Sequence, residues 1–262
     1  MPTKIPMMLI LACLLFFSSI PVHSQVNTEK LRRSDAIKGV AFTSGFTLGL
    51  QKGNSDFVSA AVAARVDWVR SRNDNFLVLQ YDFMESDAGK IANKGFLHLR
   101  SMWEVSALLS LEGFTQFEFN EFTSLTDREL LGGGIRLHFL AVGDDSAGAS
   151  LNAYLGVGAM FEHEHYTTHP SDVVYDRLRS TNYLTLNSTF DSRTALRIIA
   201  YYQPLLQRIG DYRLISDASL EFRLTTALTF TLTTSYRYNS NPVLNVRQYD
   251  LHIRNGLRIT LP

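Results

Sequence analysis

The sequence has almost no cysteine and no surplus of charge of either sign. Its one cysteine, Cys13, lies within the first 24 residues, so the rest of the chain offers no disulfide, no thiolate metal site and no cysteine nucleophile. Lysine plus arginine and aspartate plus glutamate each number 25, so the composition does not indicate a polyanionic partner, and we expect no nucleic acid to bind. Arginine greatly outnumbers lysine. It is the cation best suited to buried ion pairs with several hydrogen bonds.

Long hydrophobic runs are also missing after the first 24 residues. Lys4 provides a positive charge, Met7 to Ile20 is a short apolar segment, Pro21 interrupts it, and residues 22–24 offer a cleavage site. This order is typical of a secretory signal peptide, and the apolar segment is shorter than the roughly 20 residues that a membrane-spanning helix needs. We therefore predict a signal peptide over residues 1–24, with a retained helical anchor as the alternative. Any membrane crossing further along the chain would have to use strands.

What the sequence does have is apolar–polar alternation from about Val40 to the C-terminus. The clearest example is the segment 228–233, Leu-Thr-Phe-Thr-Leu-Thr. Successive side chains of a strand point to opposite faces, so each such segment has one apolar and one polar face. Alternating runs between turn signals predict about twelve strands. They start near Val40, Asp56, Asn75, Asn93, Leu108, Arg128, Gly148, Leu178, Ala195, Tyr212, Ala227 and Val246.

These strands predict an all-β protein with a single antiparallel transmembrane β-barrel of about twelve strands over residues 40–262. An even number of strands suits closure of an antiparallel barrel. Residues 25–39 have little periodicity. We interpret them as a periplasmic N-terminal tail, with a short capping helix or a plug as alternatives.

The polar face of the predicted strands carries many charges of both signs. In the last strand, for example, Ile253 and Leu257 alternate with Arg254 and Arg258. An arginine that faced lipid near the midplane would cost roughly 2–4 kcal/mol, so we place the apolar set outward and the charged set in the lumen. The alternative is a soluble, lipocalin-like barrel with an apolar interior. The predicted lumen charge network consists of Arg65, Asp67, Asp82, Arg100, Glu104, Glu112, Glu118, Arg136, Glu221, Arg223, Arg237, Asp250 and Arg254.

The charge network has two interpretations. Opposite charges in a partly desolvated lumen are tolerated only as pairs, which favours a structural network that fills and stiffens the barrel. The alternative is a lumen that passes small polar solutes. The near balance of the two signs predicts no strong selectivity for anions or for cations.

The connections between the strands give a second expectation. Tight links near 71–74, 106, 143–145, 191–193 and 225–226 alternate with mostly longer ones at 86–92, 122–127, 164–177, 206–211 and 239–245. The first link, 52–55, is an exception, because it is short although it is predicted to be extracellular. Outer-membrane barrels have short periplasmic turns and longer outer loops. The alternation therefore favours such a barrel over a soluble meander.

Motifs that carry chemistry are few. Glu162-His163-Glu164-His165, followed by His169, is the one metal-like cluster, and imidazole with carboxylate suits zinc, copper or nickel. Loops outside the membrane are often rich in such residues, so these histidines are weak candidates and we expect no metal. The three glycines at 132–134 indicate a bend or a close approach of another chain segment. No Gly-x-Ser-x-Gly elbow is present, so we expect no catalytic residue and no cofactor.

The segment 114–136 resembles a bacterial family of proteins of unknown function that are often labelled salt-induced outer membrane proteins. The shared features are an alternating aromatic–polar strand, a Leu-x-x-Arg turn at Leu125 and Arg128, and a glycine-rich strand start. An early Gly53-Asn54 turn follows a glycine-spaced strand in the same way. The resemblance covers residues 40 to 255. It implies an outer-membrane β-barrel of a Gram-negative bacterium, and it implies no activity and no site residues.

From these observations we expect a non-enzymatic barrel of the outer membrane, reached after export across the inner membrane, with a structural or envelope role. A narrow diffusion channel is the first alternative. An outer-membrane lipid hydrolase is the second, and it would need a serine–histidine pair at the outer rim that the sequence does not indicate. The expected partners are outer-membrane lipids and lipopolysaccharide, the barrel-insertion machinery and, for a channel, small polar solutes.

Overall fold

The computed structural model describes residues 27, 29–32, 38–53, 56–144, 148–168, 170–243 and 246–259. They form one sheet of twelve antiparallel strands, in which each strand pairs with its neighbours in sequence. The strands are β1 (Gly39–Gln51), β2 (Phe57–Arg70), β3 (Asn73–Ser86), β4 (Gly89–Glu104), β5 (Leu109–Asn120), β6 (Leu125–Asp144), β7 (Ala149–Tyr166), β8 (Val173–Thr189), β9 (Thr194–Leu205), β10 (Arg208–Arg223), β11 (Leu228–Asn239) and β12 (Tyr249–Ile259). Short 3₁₀ helices span Glu29–Leu31 and Glu121–Thr123.

The all-β class and the number of strands are confirmed. The largest difference in a strand start is at β8, which the sequence predicts near Leu178 and which begins at Val173. Within the described residues no helix has both the length and the apolar character needed to cross a bilayer. The predicted signal peptide, residues 1–24, lies outside the described residues.

The predicted alternation of short and long links is wrong at three places. The expected loop at 122–127 is the link 121–124, which is no longer than the links predicted to be tight. The expected loop at 86–92 is a two-residue turn, because Ser86 already pairs with Gly89. The expected loop at 206–211 is equally tight, because Leu205 pairs with Arg208. In the segment 86–92 residues such as Lys90 continue the ladder, and in the segment 206–211 Arg208 pairs at once and a register shift up to Tyr212 takes up the remaining residues. The longest link joins β11 to β12.

The sheet is strongly curved, which defines a concave and a convex face. The Tyr183 hydroxyl of β8 donates a hydrogen bond of 2.7 Å to Glu112 Oε2 of β5, three strands away. In a flat sheet these strands would lie about 14 Å apart, so the sheet must bend around the side chains that meet there. We call the face that carries Tyr183 and Glu112 the concave face.

Glycines bring aromatic rings onto the concave face. A Cβ atom at Gly156 would collide with the ring of Tyr183, the residue that pairs with it on β8. A Cβ at Gly132 would likewise collide with the ring of Phe114. The predicted close approach at the glycines 132–134 is therefore present, and it lets bulky rings lie flat against the backbone of β6 and β7.

The edge strands differ from the rest of the sheet. In the described part of the chain β1 pairs with β2 and β12 pairs with β11, and the strand order ends with these two strands. Almost every residue of β1 and β12 is exposed. Each edge strand therefore presents a row of backbone groups without a ladder partner among the described strands.

Candidate functional site on the concave face

The strand register places the predicted charge network on the concave face. Residues directly opposite each other in a ladder share a face, and Arg65 opposes Val78, which opposes His98, which opposes Gln116. The same rule, followed from ladder to ladder, puts all thirteen residues of the predicted network on this face.

The structure joins only part of that network by ion pairs. Arg65 Nε donates to Asp67 Oδ2 at 2.7 Å, and Arg100 Nη2 donates to Glu112 Oε2 at 2.7 Å. Asp82 lies 3.9 Å from Lys94. Glu118, Arg136 and Arg237 pair with residues outside the predicted set, and Glu221 pairs with Arg258. Within the described residues Glu104, Arg223, Asp250 and Arg254 form no ion pair.

The tightest ionic arrangement was missed by the sequence prediction. Glu162 Oε1 accepts a hydrogen bond from Arg128 Nε at 2.8 Å, its Oε2 accepts one from Arg179 Nε at 2.7 Å, and Arg213 also donates to Oε1. The side chains of Glu162 and Arg179 are fully buried. Around them we define the Glu162 cluster as Glu118, Arg128, Glu162, Glu164, Arg177, Arg179, Asp211 and Arg213.

The Glu162 cluster is built from strands alone. Glu164 accepts hydrogen bonds from Arg213 Nη2 at 2.7 Å and from the Tyr166 hydroxyl at 3.0 Å. Arg179 Nη2 donates to Asp211 Oδ1 at 3.0 Å. Four carboxylates thus face four buried or partly buried guanidinium groups across β5, β6, β7, β8 and β10, and the exposed Arg208 adds a fifth guanidinium group at Asp211. Buried charges are tolerable only when they are paired and hydrogen-bonded in this way.

A sequence signal for this cluster existed. Glu162 and Glu164 were grouped with the metal-like histidines, and Arg177 was assigned to the end of a long loop. The period-two pattern nevertheless continues through Arg177, Arg179 and Thr181, and it assigns these side chains to one face. Extending this two-residue pattern into the predicted loop 164–177 places Arg177 and Arg179 on the charged face and so identifies the cluster.

The described N-terminal residues lie against the concave face. We call residues 27 and 29–32 the N-terminal segment. The Glu29 carboxylate is fully buried, 3.0 Å from Arg136 Nη2 and 3.4 Å from Arg100 Nη1. Asn27 Nδ2 donates to Asp217 Oδ2 at 2.6 Å. These contacts involve residues of β4, β6 and β10.

Backbone oxygens of the N-terminal segment are also bound. Arg65 Nη1 of β2 donates to the Leu31 carbonyl oxygen at 2.6 Å, and Arg197 Nη2 of β9 donates to the Glu29 carbonyl oxygen at 3.0 Å. Together with its ionic neighbours the segment forms the Glu29 cluster. Its members are Glu29, Lys30, Arg32, Arg65, Asp67, Arg100, Glu112, Arg136, Arg197, Asp217 and Arg237. The docking agrees with the plug that was the alternative to a tail for residues 25–39, although their aperiodic sequence indicates none of the contacts.

The candidate metal-binding histidines lie on the opposite, convex face. His163 Nδ1 is 2.8 Å from Asp176 Oδ1, and His165 lies between Asp127 and Asp172 at 3.2 and 3.3 Å. His169 lies outside the described residues. In the part of the chain that the structure covers, no three histidine, cysteine or acidic residues form a metal-binding group.

Two exposed carboxylates outside the strands order their turns. The pKa of Asp191 is lowered because its side chain accepts hydrogen bonds from the backbone N–H groups of Arg193 and Thr194, each at 2.7 Å. The pKa of Glu121 is lowered because Asn93 Nδ2 donates to it at 2.8 Å. Both groups are accessible to solvent and belong to turns, so they take no part in the buried clusters.

Comparison with known proteins gives a family and a distant structural likeness. The model of the family described as protein of unknown function, DUF481, matches residues 45–260. The family resemblance seen in the sequence is thereby confirmed, and the salt-induced label stays a prediction. A solved structure of the NanC porin in a rhombohedral crystal form is similar with a TM-score of 0.46 at 9% identity, over 84% of this chain and 99% of that chain. No curated protein matches the sequence.

Proposed function

The chain belongs to the DUF481 family of proteins of unknown function, and because its sheet has apolar side chains on one face and charged side chains on the other, we propose that it is a closed twelve-stranded barrel of the outer membrane with a non-enzymatic, structural role. In this proposal the convex face contacts lipid. The two ionic clusters and the N-terminal segment fill the interior.

The observation that carries the proposal is the inverted distribution of apolar and charged side chains. On the convex face Phe42, Leu131 and Ile253 are 68%, 67% and 62% exposed. On the concave face Arg179 and Arg213 are among the most deeply buried side chains of the molecule. Burying one large apolar side chain is favourable by about 1.5–3 kcal/mol of free energy relative to leaving it in water. The convex face exposes such side chains on strand after strand. A soluble lipocalin-like barrel would have the opposite arrangement.

Aromatic residues near the strand ends support the membrane location. Trp103 is exposed near the end of β4, and Tyr249 is exposed at the start of β12. Amphipathic rings at these positions suit the two interfaces of a bilayer, where outer-membrane barrels carry aromatic girdles.

Closure of the sheet is supported by its curvature and its edges. With twelve strands in sequential order, β1 and β12 run antiparallel and each has a free edge among the described strands. The N-terminal segment contacts Arg65 of β2 and Asp217 of β10 at once, so both ends of the sheet approach the same five residues. Pairing of β1 with β12 would satisfy the backbone groups that lipid cannot.

Two other functions, a diffusion channel and a lipid hydrolase, are alternatives to the structural role. A narrow diffusion channel is favoured by a space of about 630 Å³ beside the N-terminal segment. For a lipid hydrolase, the ring nitrogens of His98 and His138 lie 3.1 Å from the amide oxygens of Gln116 and Asn152 and not beside a serine. His252 lies directly opposite Ser235 in the β11–β12 ladder, so the lipid-release assay is needed to decide this alternative. Lipids, lipopolysaccharide and the insertion machinery stay the expected partners.

The test uses the mature protein refolded in detergent. A closed barrel should migrate faster on unboiled than on boiled SDS gels, and a sheet that stays open should show no such difference. Incorporated into planar bilayers, a filled barrel should give no steady conductance over many insertions. Regular conductance steps would replace the structural role with the channel. Release of fatty acid from outer-membrane lipid would contradict both.

A further inference from the structure

The space beside the N-terminal segment has walls of one charge sign. It lies on the concave face between this segment and β1, β2 and β3, with a volume of about 630 Å³. Four cations line it, and among its described lining residues there is no aspartate or glutamate. The cations are Lys30, Arg32, Arg65 and Arg197. The other walls are mostly small or neutral, as at Thr43 and Gly45.

These four cations are not equally neutralised. Arg65 is held by Asp67, and Arg32 is paired with Glu29 and Glu112. Lys30 reaches Asp217 only at 3.5 Å, with a side chain that is 55% exposed. Lys30 therefore keeps part of its capacity to bind another anion.

Arg197 is the least compensated of the four. Within the described residues it forms no ion pair with a carboxylate, and its Nη2 donates to a neutral acceptor, the Glu29 carbonyl oxygen. Its Nε is buried and has no hydrogen-bond partner in the described part of the chain. Arg197 as a whole is only partly buried and lines the space, so the guanidinium N–H groups that reach the space can meet an acceptor there, whereas the buried Nε is closed to it.

The Glu29 cluster, which borders the space, has an excess of positive charge that also favours an anion. The Glu29 cluster contains seven cations and four carboxylates, counted from its eleven members. The Glu162 cluster, with the exposed Arg208 at Asp211 counted, has five cations and four carboxylates. The charges that balance over the whole sequence are therefore unevenly distributed over the concave face, with the larger excess of cations around the N-terminal segment.

We infer that the space between Arg197 and Lys30 is a binding site for a small oxyanion, a carboxylate or phosphate group. The planar guanidinium of Arg197 can donate to two oxygens of such a group, and Lys30 adds a point charge at the open side. The inference rests on the proposed barrel, because the site needs the enclosing sheet. In a conducting form, this wall would make the passage prefer anions.

The experiment measures binding separately from conductance. Calorimetry on the detergent-refolded protein, shown to be heat-modifiable on gels, uses inorganic phosphate and succinate as probes. We expect both to bind. Arg197→Gln should weaken binding about tenfold, since one charge-assisted donor set is lost. Lys30→Gln should weaken binding less, and Arg197→Lys should recover part of the affinity.

Arg258→Gln is the matched control. Arg258 is an exposed arginine on the same face that pairs with Glu221 outside the space, so its loss should leave binding unchanged. Absence of binding by folded wild-type protein, or equal binding by wild type and Arg197→Gln, would overturn the inference. If Arg197→Gln fails to fold, unchanged binding by Lys30→Gln would overturn it. Failure of the wild type to form a heat-modifiable species would instead reject the barrel itself.

Discussion

The Glu162 cluster and the Glu29 cluster lie on one face of one sheet, yet they are built differently. The Glu162 cluster takes all of its charges from strands, comes within one charge of balancing them, and has central side chains that are buried. The Glu29 cluster depends on a short segment outside the sheet, has more cations than carboxylates, and borders an open space. The first arrangement suits a permanent brace between strands. The second suits a removable element and a site for a ligand.

The largest effect should follow from Glu162→Gln. Three guanidinium groups would lose their shared carboxylate in a buried setting, and we expect the free energy of unfolding to fall by about 3–5 kcal/mol. Urea unfolding in lipid, followed by tryptophan fluorescence, measures it. The control is Glu221→Gln, whose exposed pair with Arg258 at 3.4 Å should be worth less than about 1 kcal/mol. Equal losses in the two variants would remove the basis for calling the Glu162 cluster a brace.

Glu29→Gln should cost less than Glu162→Gln. Arg100 and Arg32 would keep Glu112 as a partner, and Arg136 would keep its position 3.8 Å from the Tyr154 ring. We expect a loss of about 1–3 kcal/mol in the same unfolding experiment. A loss as large as that of Glu162→Gln would contradict the difference between the clusters.

Deletion of residues 27–32 should change conductance more than folding. Because no strand is removed, the protein should still form the heat-modifiable species, while single-channel conductance in planar bilayers should rise above that of the intact protein. Glu221→Gln, which leaves the segment in place, should not raise it. A deletion variant that folds and conducts no better than the intact protein would show that the segment does not fill the passage.

The smallest effect should follow from Lys30→Gln. Its side chain is half exposed and its pair with Asp217 is long, so the unfolding free energy should change by less than about 1 kcal/mol. The variant therefore separates ligand binding from stability. A loss comparable to that of Glu29→Gln would mean that Lys30 is part of the structural core of its cluster.

The sequence predicts the strands and their faces well, because the alternation with a period of two residues is visible within each segment and does not depend on the rest of the fold. The thirteen predicted residues accordingly share one face. Contacts between distant strands could not be predicted in the same way. The pairing of Glu162 on β7 with Arg213 on β10 depends on the curvature of the whole sheet, and the docking of Glu29 involves an aperiodic segment. The tight turns at Ser86 and Leu205 could not be predicted, because the residues that follow are a continuing ladder in one case and a register shift within the strand in the other.

The most direct test of the central claim asks what the convex face contacts. Leu131→Trp in a Trp68→Phe/Trp103→Phe background leaves one tryptophan on this face, at a position that is 67% exposed. In vesicles of phospholipid brominated near the chain ends, we predict strong quenching of this tryptophan and little quenching by aqueous iodide. Quenching by iodide without quenching by the brominated lipid would place the apolar face in water and contradict the account.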